Sequence, residues 1–207
     1  MTLPSYYPVF LSLKGKKCIV VGGGRVAERK ALSLLESGAD ITVISPEVTK
    51  RLKKESVKRV NRSKGSGGNL RHISREYKKG DLKNAFLVIA ATDSNKINSR
   101  VSEDAPCLVN VVDVPSMCNF IVPSVVKRGP LTIAISTSGV SPSIAKAIRK
   151  ELEKLYDAEF GKRLASLRKI RAKAMAEIKD KKKRERFLKK LGAMIATENL
   201  RQKNKKN

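Results

Sequence analysis

Tryptophan is absent from this 207-residue chain, histidine occurs once and cysteine three times. Acidic residues are scarce beside basic ones, 19 Asp and Glu against 45 Lys and Arg, so the formal charge is +26. Each shortage excludes something. The longest apolar run is Ala85-Phe-Leu-Val-Ile-Ala-Ala91, far short of the roughly 20 residues of a bilayer-spanning helix. Met1-Thr-Leu-Pro-Ser-Tyr-Tyr-Pro8 has neither the basic nor the apolar stretch of a secretory leader. Cys18, Cys107 and Cys118 are odd in number, lack C-x-x-C spacing and lie in or beside apolar runs, as buried thiols do, so a reducing cytoplasm is expected. His72 has no partner at H-x-x-x-H spacing and no carboxylate cluster stands at metal-ligand spacing, so no protein-ligated metal is indicated. The basic runs hold few of the four Tyr and five Phe, only Tyr77, Tyr156, Phe160 and Phe187, which disfavours base stacking and with it nucleic acid.

What is present is enough for a folded core: 41% hydrophobic and 31% charged residues. The positive excess is local. Residues 50–79 hold 12 basic and 2 acidic residues, and residues 151–207 hold 19 and 8, which together account for 21 of the 26 net charges. The remainder of the chain is much closer to neutral.

Lys17-Cys-Ile-Val-Val21 reads as a strand ending in Gly22-Gly-Gly24. Val26, Ala27, Ala31, Leu34 and Leu35 then form a helical stripe that Gly38 stops, and Asp40–Ser45 reads as a second strand. The stretch 50–84 reads as a basic, polar connection containing the flexible loop Lys64-Gly-Ser-Gly-Gly68. Ala85–Ala91 and Cys107–Val112 are expected to be buried parallel strands around a helix at 95–104. The fold class is therefore α/β, a Rossmann-type parallel sheet. Beyond Asp113, Phe120–Val126 and Leu131–Ser136 follow the grammar of an antiparallel hairpin, and Ser141-Pro142 starts a helix. From Asp157 to about Leu200 the composition is helical, and Arg201–Asn207 is expected to fray.

Gly22-x-Gly24-x-x-Ala27 fits G-x-G-x-x-A directly after a strand and at the start of a helix. The pattern demands a tight turn at Gly22, close approach of backbone to a pyrophosphate at Gly24, and a small residue at Ala27 for helix-on-sheet packing. The acid that usually binds the ribose is missing at the end of the second strand, where Ser45 stands. Glu47 either substitutes for it or caps the next helix, and Arg25 and Arg51 leave a 2′-phosphate open, with NAD preferred over NADP. Thr92 and Asp93 follow the central strand, where such sheets bind ligands, and read equally as an N-cap. Asp113, a lone carboxylate after an apolar run, reads as an acid–base group tuned by partial burial or as a turn-former before Pro115. Ser136-Thr-Ser-Gly-Val-Ser-Pro142 is a hydroxyl-rich turn able to hold carboxylates, with Ser141 also a capping residue.

In one order stand Tyr7-Pro-Val-Phe-Leu11, Val20-Val-Gly-Gly-Gly-Arg-Val-Ala-Glu-Arg-Lys30, Ala90-Ala-Thr-Asp93 with Asn98, Asn110-Val-Val-Asp-Val-Pro115, Phe120-Ile-Val-Pro-Ser124 and Ile135-Ser-Thr-Ser-Gly-Val-Ser-Pro142. Over residues 5–155 the chain thereby resembles the precorrin-2 dehydrogenase/sirohydrochlorin ferrochelatase family, which includes the N-terminal region of sirohaem synthases. The resemblance implies NAD-dependent oxidation of precorrin-2 to sirohydrochlorin and, in some members, insertion of Fe²⁺ as a second substrate. It implies a homodimer built from an NAD-binding domain (1–113), a dimerisation element (114–156) and a helical C-terminal domain with a basic tail (157–207). The family's cofactor positions fall on Gly22, Gly24, Arg25, Val26, Pro46, Glu47 and Thr92, and its catalytic aspartate on Asp113. Candidate substrate contacts are Asn110, Ser136, Thr137, Ser138 and Ser141. Some members carry a phosphorylated serine near the tetrapyrrole, and Thr137 holds that place here. The stretch 56–70 looks longer than the family's pattern, and methylation of the precursor is left to another chain. Two other readings stay open: a dinucleotide-sensing protein whose basic tail contacts nucleic acid, and a reductase for a different acidic substrate.

Overall fold

β-Branched and leucine-rich runs separated by glycine turns build the sheet of the computed structural model, which describes residues 5–60 and 68–204. All but the last residue of the expected loop at 64–68 lies outside them, as do residues 205–207 of the expected tail. The chain divides into two compact units, Ser5–Val122 and Pro123–Asn207.

In the first unit β1 (Lys17–Val21), β2 (Asp40–Ile44), β3 (Leu70–Ile73), β4 (Leu87–Ala90) and β5 (Leu108–Val111) form one parallel sheet in the order β3-β2-β1-β4-β5. Strand alternation sends Cys18, Val20, Leu87 and Ile89 into one core and Ile19, Val21, Val88 and Ala90 into the other. Both faces of the central strands are thus covered, which is why they carry no polar alternation. Helix α1 (Arg25–Glu36) buries Ala27, Ala31, Leu34 and Leu35 at helical spacing. It ends where Gly38 takes φ +83° and the N–H groups of Ser37 and Gly38 return to the Leu34 and Leu35 carbonyls. Helix α3 (Asn95–Asp104) is N-capped by Ser94, whose Oγ accepts from the Ile97 N–H, and buries Asn98 and Val101.

The basic stretch after residue 50 corrects the expectation of a polar connection: it holds helix α2 (Lys50–Val60) and the edge strand β3. Leu52 and Leu70, at 1% and 3% exposure, carry their burial. Two apolar anchors among so many charges leave little periodic signal. His72, expected in a loop, lies in β3 with Nε2 2.9 Å from the Ser45 carbonyl oxygen.

In the second unit β6 (Ser124–Arg128) and β7 (Leu131–Ile135) pair antiparallel across a two-residue loop, Gly129-Pro130, with Gly129 at φ +55°. The hairpin starts four residues later than expected: Phe120 packs into the first unit's core, and Pro123 has no N–H to give a ladder. Helix α4 (Pro142–Leu155) starts at Ser141, whose Oγ accepts from Ile144 N–H, with Pro142 in the first turn. The helical composition expected after 157 is realised as two helices, α5 (Ala158–Glu177) and α6 (Lys181–Asn204). Asp180 interrupts it by accepting the Lys183 N–H at 2.9 Å as a new cap. Gly161 lets α5 meet the hairpin, since a Cβ there would stand 2.9 Å from the carbonyl carbon of Arg128.

Ile19 is fully buried between strands, so Ile19→Ala should lower the unfolding free energy of the first unit by about 3 kcal/mol. A urea titration followed by far-ultraviolet dichroism measures it; a loss below about 0.5 kcal/mol, as at an exposed position, would contradict the two-sided core.

Candidate functional site

The strand order reverses between β1 and β4: the chain moves outward from β1 to β2 and β3, then crosses to the other side. Loops leaving the carboxyl ends diverge at such a point and open a crevice. Here they line a cavity of about 510 Å³ bounded by the Gly22–Gly24 turn, Ser45–Thr49 after β2, and Ala91–Asp93 after β4. That volume lies in the range of small-molecule and cofactor sites.

The three glycines do different work. Gly22, at φ +121°, lies against the next loop, and a Cβ there would stand 2.2 Å from the Ala91 carbonyl oxygen. At Gly23 it would stand 1.8 Å from the Glu47 carbonyl oxygen. At Gly24 it would meet nothing within 4 Å. Gly22 and Gly23 therefore let three loops close together, while Gly24 keeps the mouth of the crevice free of side chain. Gly24 is also the N-cap of α1 and supplies no side-chain cap, so the helix's first N–H groups are available to an anion. Arg25 and Val26 stand exposed in that first turn. These features fit a dinucleotide: a shaped crevice, an uncapped helix start and a glycine where the pyrophosphate must approach.

Side chains that the motif did not single out lock the crevice. Glu28 accepts a short hydrogen bond from the Thr49 hydroxyl and lies 3.9 Å from Arg51 Nη1, while Thr49 N–H donates to the Gly23 carbonyl at 3.1 Å. Asn98, 5% exposed, receives the Thr92 hydroxyl at 2.8 Å and returns its amide to the Thr92 carbonyl at 2.9 Å. The α3 side chain thus fixes Thr92, a residue of the cavity wall. Pro46 and Glu47 are exposed on the opposite wall.

Asp113 follows the neighbouring strand. Ala90 of β4 is registered with Val111 of β5, so Thr92 and Asp113 each stand two residues beyond the same rung, on one edge of the sheet. Asp113 is exposed and takes φ +62° inside a turn closed by the Val114 N–H on the Val111 carbonyl at 3.3 Å. Of the two readings open for Asp113, partial burial is not found and the place in a turn before Pro115 is; its distinguishing feature is the left-handed backbone, which Asp tolerates better than most residues. Lys30 on α1 is half-buried, and burial followed by its neighbour Arg29 lowers its pKa against the opposing pull of Asp113 and Cys118. A cation thus belongs to the electrostatic surroundings of Asp113, a pairing that separation in sequence conceals. Asn110 turns its amide to the Phe120 carbonyl at 3.0 Å.

The hydroxyl turn lies in the second unit. Thr137 Oγ1 accepts the Ser141 N–H at 3.1 Å and donates to the Ser141 carbonyl at 3.0 Å, and Ser136 Oγ accepts the Ser138 N–H at 3.0 Å. Ser138 takes φ +50°. The capping role of Ser141 is realised, and the turn is held by its own hydroxyls. Among the described residues no group of three or more His, Cys, Asp or Glu is placed to hold a metal ion.

The contrast between neighbouring glycines can be measured. Gly24→Ala should fold as the parent does but bind NAD at least about tenfold more weakly in calorimetric titration, since the methyl enters the pyrophosphate's approach. Gly23→Ala should lower the melting temperature, because its methyl overlaps a backbone carbonyl. Equal behaviour of the two would refute the division of labour.

A family model for NAD(P)-binding domains matches residues 9–124, and one for the central part of sirohaem biosynthesis proteins matches residues 128–155. The siroheme synthase of Methylobacillus flagellatus is 40% identical over 158 residues, 75% of this chain and 32% of that protein. That of Thioalkalivibrio sulfidiphilus is 38% identical over 189 residues, 90% of this chain and 37% of that protein. The chain thus spans about a third of the length of these curated relatives. A solved structure of SirC, precorrin-2 dehydrogenase, superposes with a TM-score of 0.77 at 29% identity, covering 97% of this chain and 100% of that one. With its glycine turn, its switch-point crevice and its ordered motifs matched in this way, the chain belongs to the NAD(P)-binding family of precorrin-2 dehydrogenases and sirohaem synthases.

Proposed function

We propose that the chain is an NAD-dependent dehydrogenase that oxidises precorrin-2 to sirohydrochlorin. The observation that carries this reading is the shared rung: Thr92 on the cofactor cavity and Asp113 on the next strand leave the sheet at one level of one edge. NAD, when bound, accepts the hydride that leaves the macrocycle. Gly22–Gly24 and the start of α1 hold the pyrophosphate, and Thr92, fixed by Asn98, orients the nicotinamide half. Asp113 takes up the proton released as the ring loses its hydride, a task suited to an ionised carboxylate at a fixed backbone position. Ser136, Thr137 and Ser138 bind substrate carboxylates, and the basic surplus raises the local concentration of such a polyanion. The same carboxylate can take protons from the ring nitrogens as Fe²⁺, a substrate here, enters the tetrapyrrole. Four nitrogens of the ring then ligate the iron.

The working enzyme is a homodimer joined through residues 114–156, with the cofactor domain at 1–113 and the helical domain at 157–207. Support comes from the apolar side chains that this segment leaves exposed: Val125, Val140, Ile144 and Ile148, the last two one helical turn apart on α4. A reducing cytoplasm is its setting, in keeping with three free thiols. No helix of the described residues is long and apolar enough to cross a membrane.

Under anaerobic conditions the chain should form NADH and sirohydrochlorin from precorrin-2 and NAD. Asp113→Asn keeps a residue tolerant of positive φ and should reduce kcat by about 100-fold or more with NAD affinity retained. Wild-type kcat in that variant would remove Asp113 from the chemistry, and no NADH from the parent would overturn the activity. For the assembly, Ile144→Glu with Ile148→Glu should convert a dimer to a monomer by light scattering; a dimer in both would locate the contact elsewhere.

A further inference from the structure

The segment after β5 doubles back along that strand, and the sulfur of Cys118 lies at its centre. Cys118 Sγ is 3.1 Å from the Val111 nitrogen, 3.5 Å from Asn110 Nδ2, 3.2 Å from the Val111 oxygen and 3.3 Å from the Val114 oxygen. Two N–H groups point at the sulfur, and its one S–H is shared between two carbonyls. Val111 and Val114 are the two ends of the turn that contains Asp113. The turn's own hydrogen bond is long at 3.3 Å, so on its own it restrains the left-handed Asp113 weakly. The thiol grips both ends of that turn from a third direction. A 3-10 turn, Pro115–Met117, brings it there, with the Cys118 N–H on the Pro115 carbonyl at 3.1 Å. Asn119 then fastens the segment to β5, its amide accepting from the Val109 N–H at 2.8 Å and donating to the Cys107 carbonyl at 2.9 Å.

We propose that Cys118 is a positioning residue for Asp113: its thiol clamps the Val111–Val114 turn and so fixes the direction in which the carboxylate leaves the sheet. A thiol suits the place because sulfur is large enough to reach four backbone and amide atoms at once, accepting weakly from the two N–H groups and donating weakly toward the two carbonyls. Alanine would fill part of the space and hold neither end of the turn. The inference rests on the role of Asp113 in the proposed dehydrogenase, and its test has one readout that depends on turnover and one that does not.

Cys118→Ala should lower kcat for NADH formation from precorrin-2 by about tenfold, as displacement of a reacting group does, with the KM for NAD unchanged. Cys118→Ser retains a donor and an acceptor and should recover most of that loss. In an Asp113→Asn background Cys118→Ala should add nothing, because the group it positions is gone. Independently of turnover, amide hydrogen exchange at Val114 should rise at least about tenfold in Cys118→Ala, while amides of β1 keep their protection. Wild-type kcat in Cys118→Ala, an equal further slowing of Asp113→Asn, or unchanged exchange at Val114 would each overturn the proposal. If the parent makes no NADH, the dehydrogenase reading fails, and the exchange readout alone decides whether the thiol sets the turn. Should alanine prevent folding, methylthiolation of Cys118 in a folded Cys107→Ser chain replaces it with the same readouts. Cys18 is shielded there, being fully buried with a thiol pushed up to about 11 by that burial.

Discussion

Two carbonyl oxygens occupy the places where side chains would begin. The oxygens of Ala91 and Glu47 stand 2.2 and 1.8 Å from where Cβ atoms on Gly22 and Gly23 would be, so only glycine lets the loops after β1, β2 and β4 converge. That convergence makes the crevice. It puts the Gly23 carbonyl within reach of the Thr49 N–H, closes β2 against α1 through Glu28, and leaves Gly24 facing open space. The sheet can be built from many β-branched residues, but the site depends on this backbone contact.

Much of the first unit was legible because its signals are local. Strand runs, the glycine turn and the stripe of α1 lie within a window of about 20 residues, and their periods differ. α2 and β3 leave little periodic signal because their buried apolar content shrinks to Leu52 and Leu70 in a field of lysine and arginine. The hairpin is legible in the sequence but begins four residues later than its apolar run, since Phe120 is as apolar as a strand residue and only its packing reveals that it serves the first unit's core. The glycine turn that borders the crevice could be read from the G-x-G-x-x-A pattern. Asn98 stood out as part of a motif without a job, and the hydrogen bonds to Thr92 supply it. Gly23 and Lys30 depend on neighbours far away along the chain, and Cys118 on a chain reversal that brings it back onto residues 110–114; no spacing rule encodes them. For Asp113 two readings are legible, a half-buried carboxylate and a turn-former, and only the packing decides for an exposed carboxylate in a left-handed turn.

The scarcity of acid in this chain also takes on structure. Several acidic side chains of the first unit are engaged: Glu28 with Thr49 and Arg51, Asp81 in two contacts with Arg75 whose guanidinium holds its carboxyl below the usual range, and Asp104 as acceptor for the buried Tyr77 hydroxyl, while Glu47, Glu76 and Asp93 line the crevice itself. Asp113 lies near a lysine whose charge burial weakens. Repulsion of a carboxylate-rich ligand is thereby reduced at Glu28 and Asp81, each of which faces an arginine.

Asn119 has a further consequence at the sheet's margin. Its backbone N–H and side-chain amide answer the groups of Val109 and Cys107, as a sixth strand would. An outer strand is ordinarily an invitation to recruit a neighbour's chain. Here one carboxamide has accepted it already, and a second copy cannot extend the sheet at β5 without evicting Asn119. Self-association is steered away from that margin, which keeps the carboxyl ends of the strands from becoming a seam between molecules.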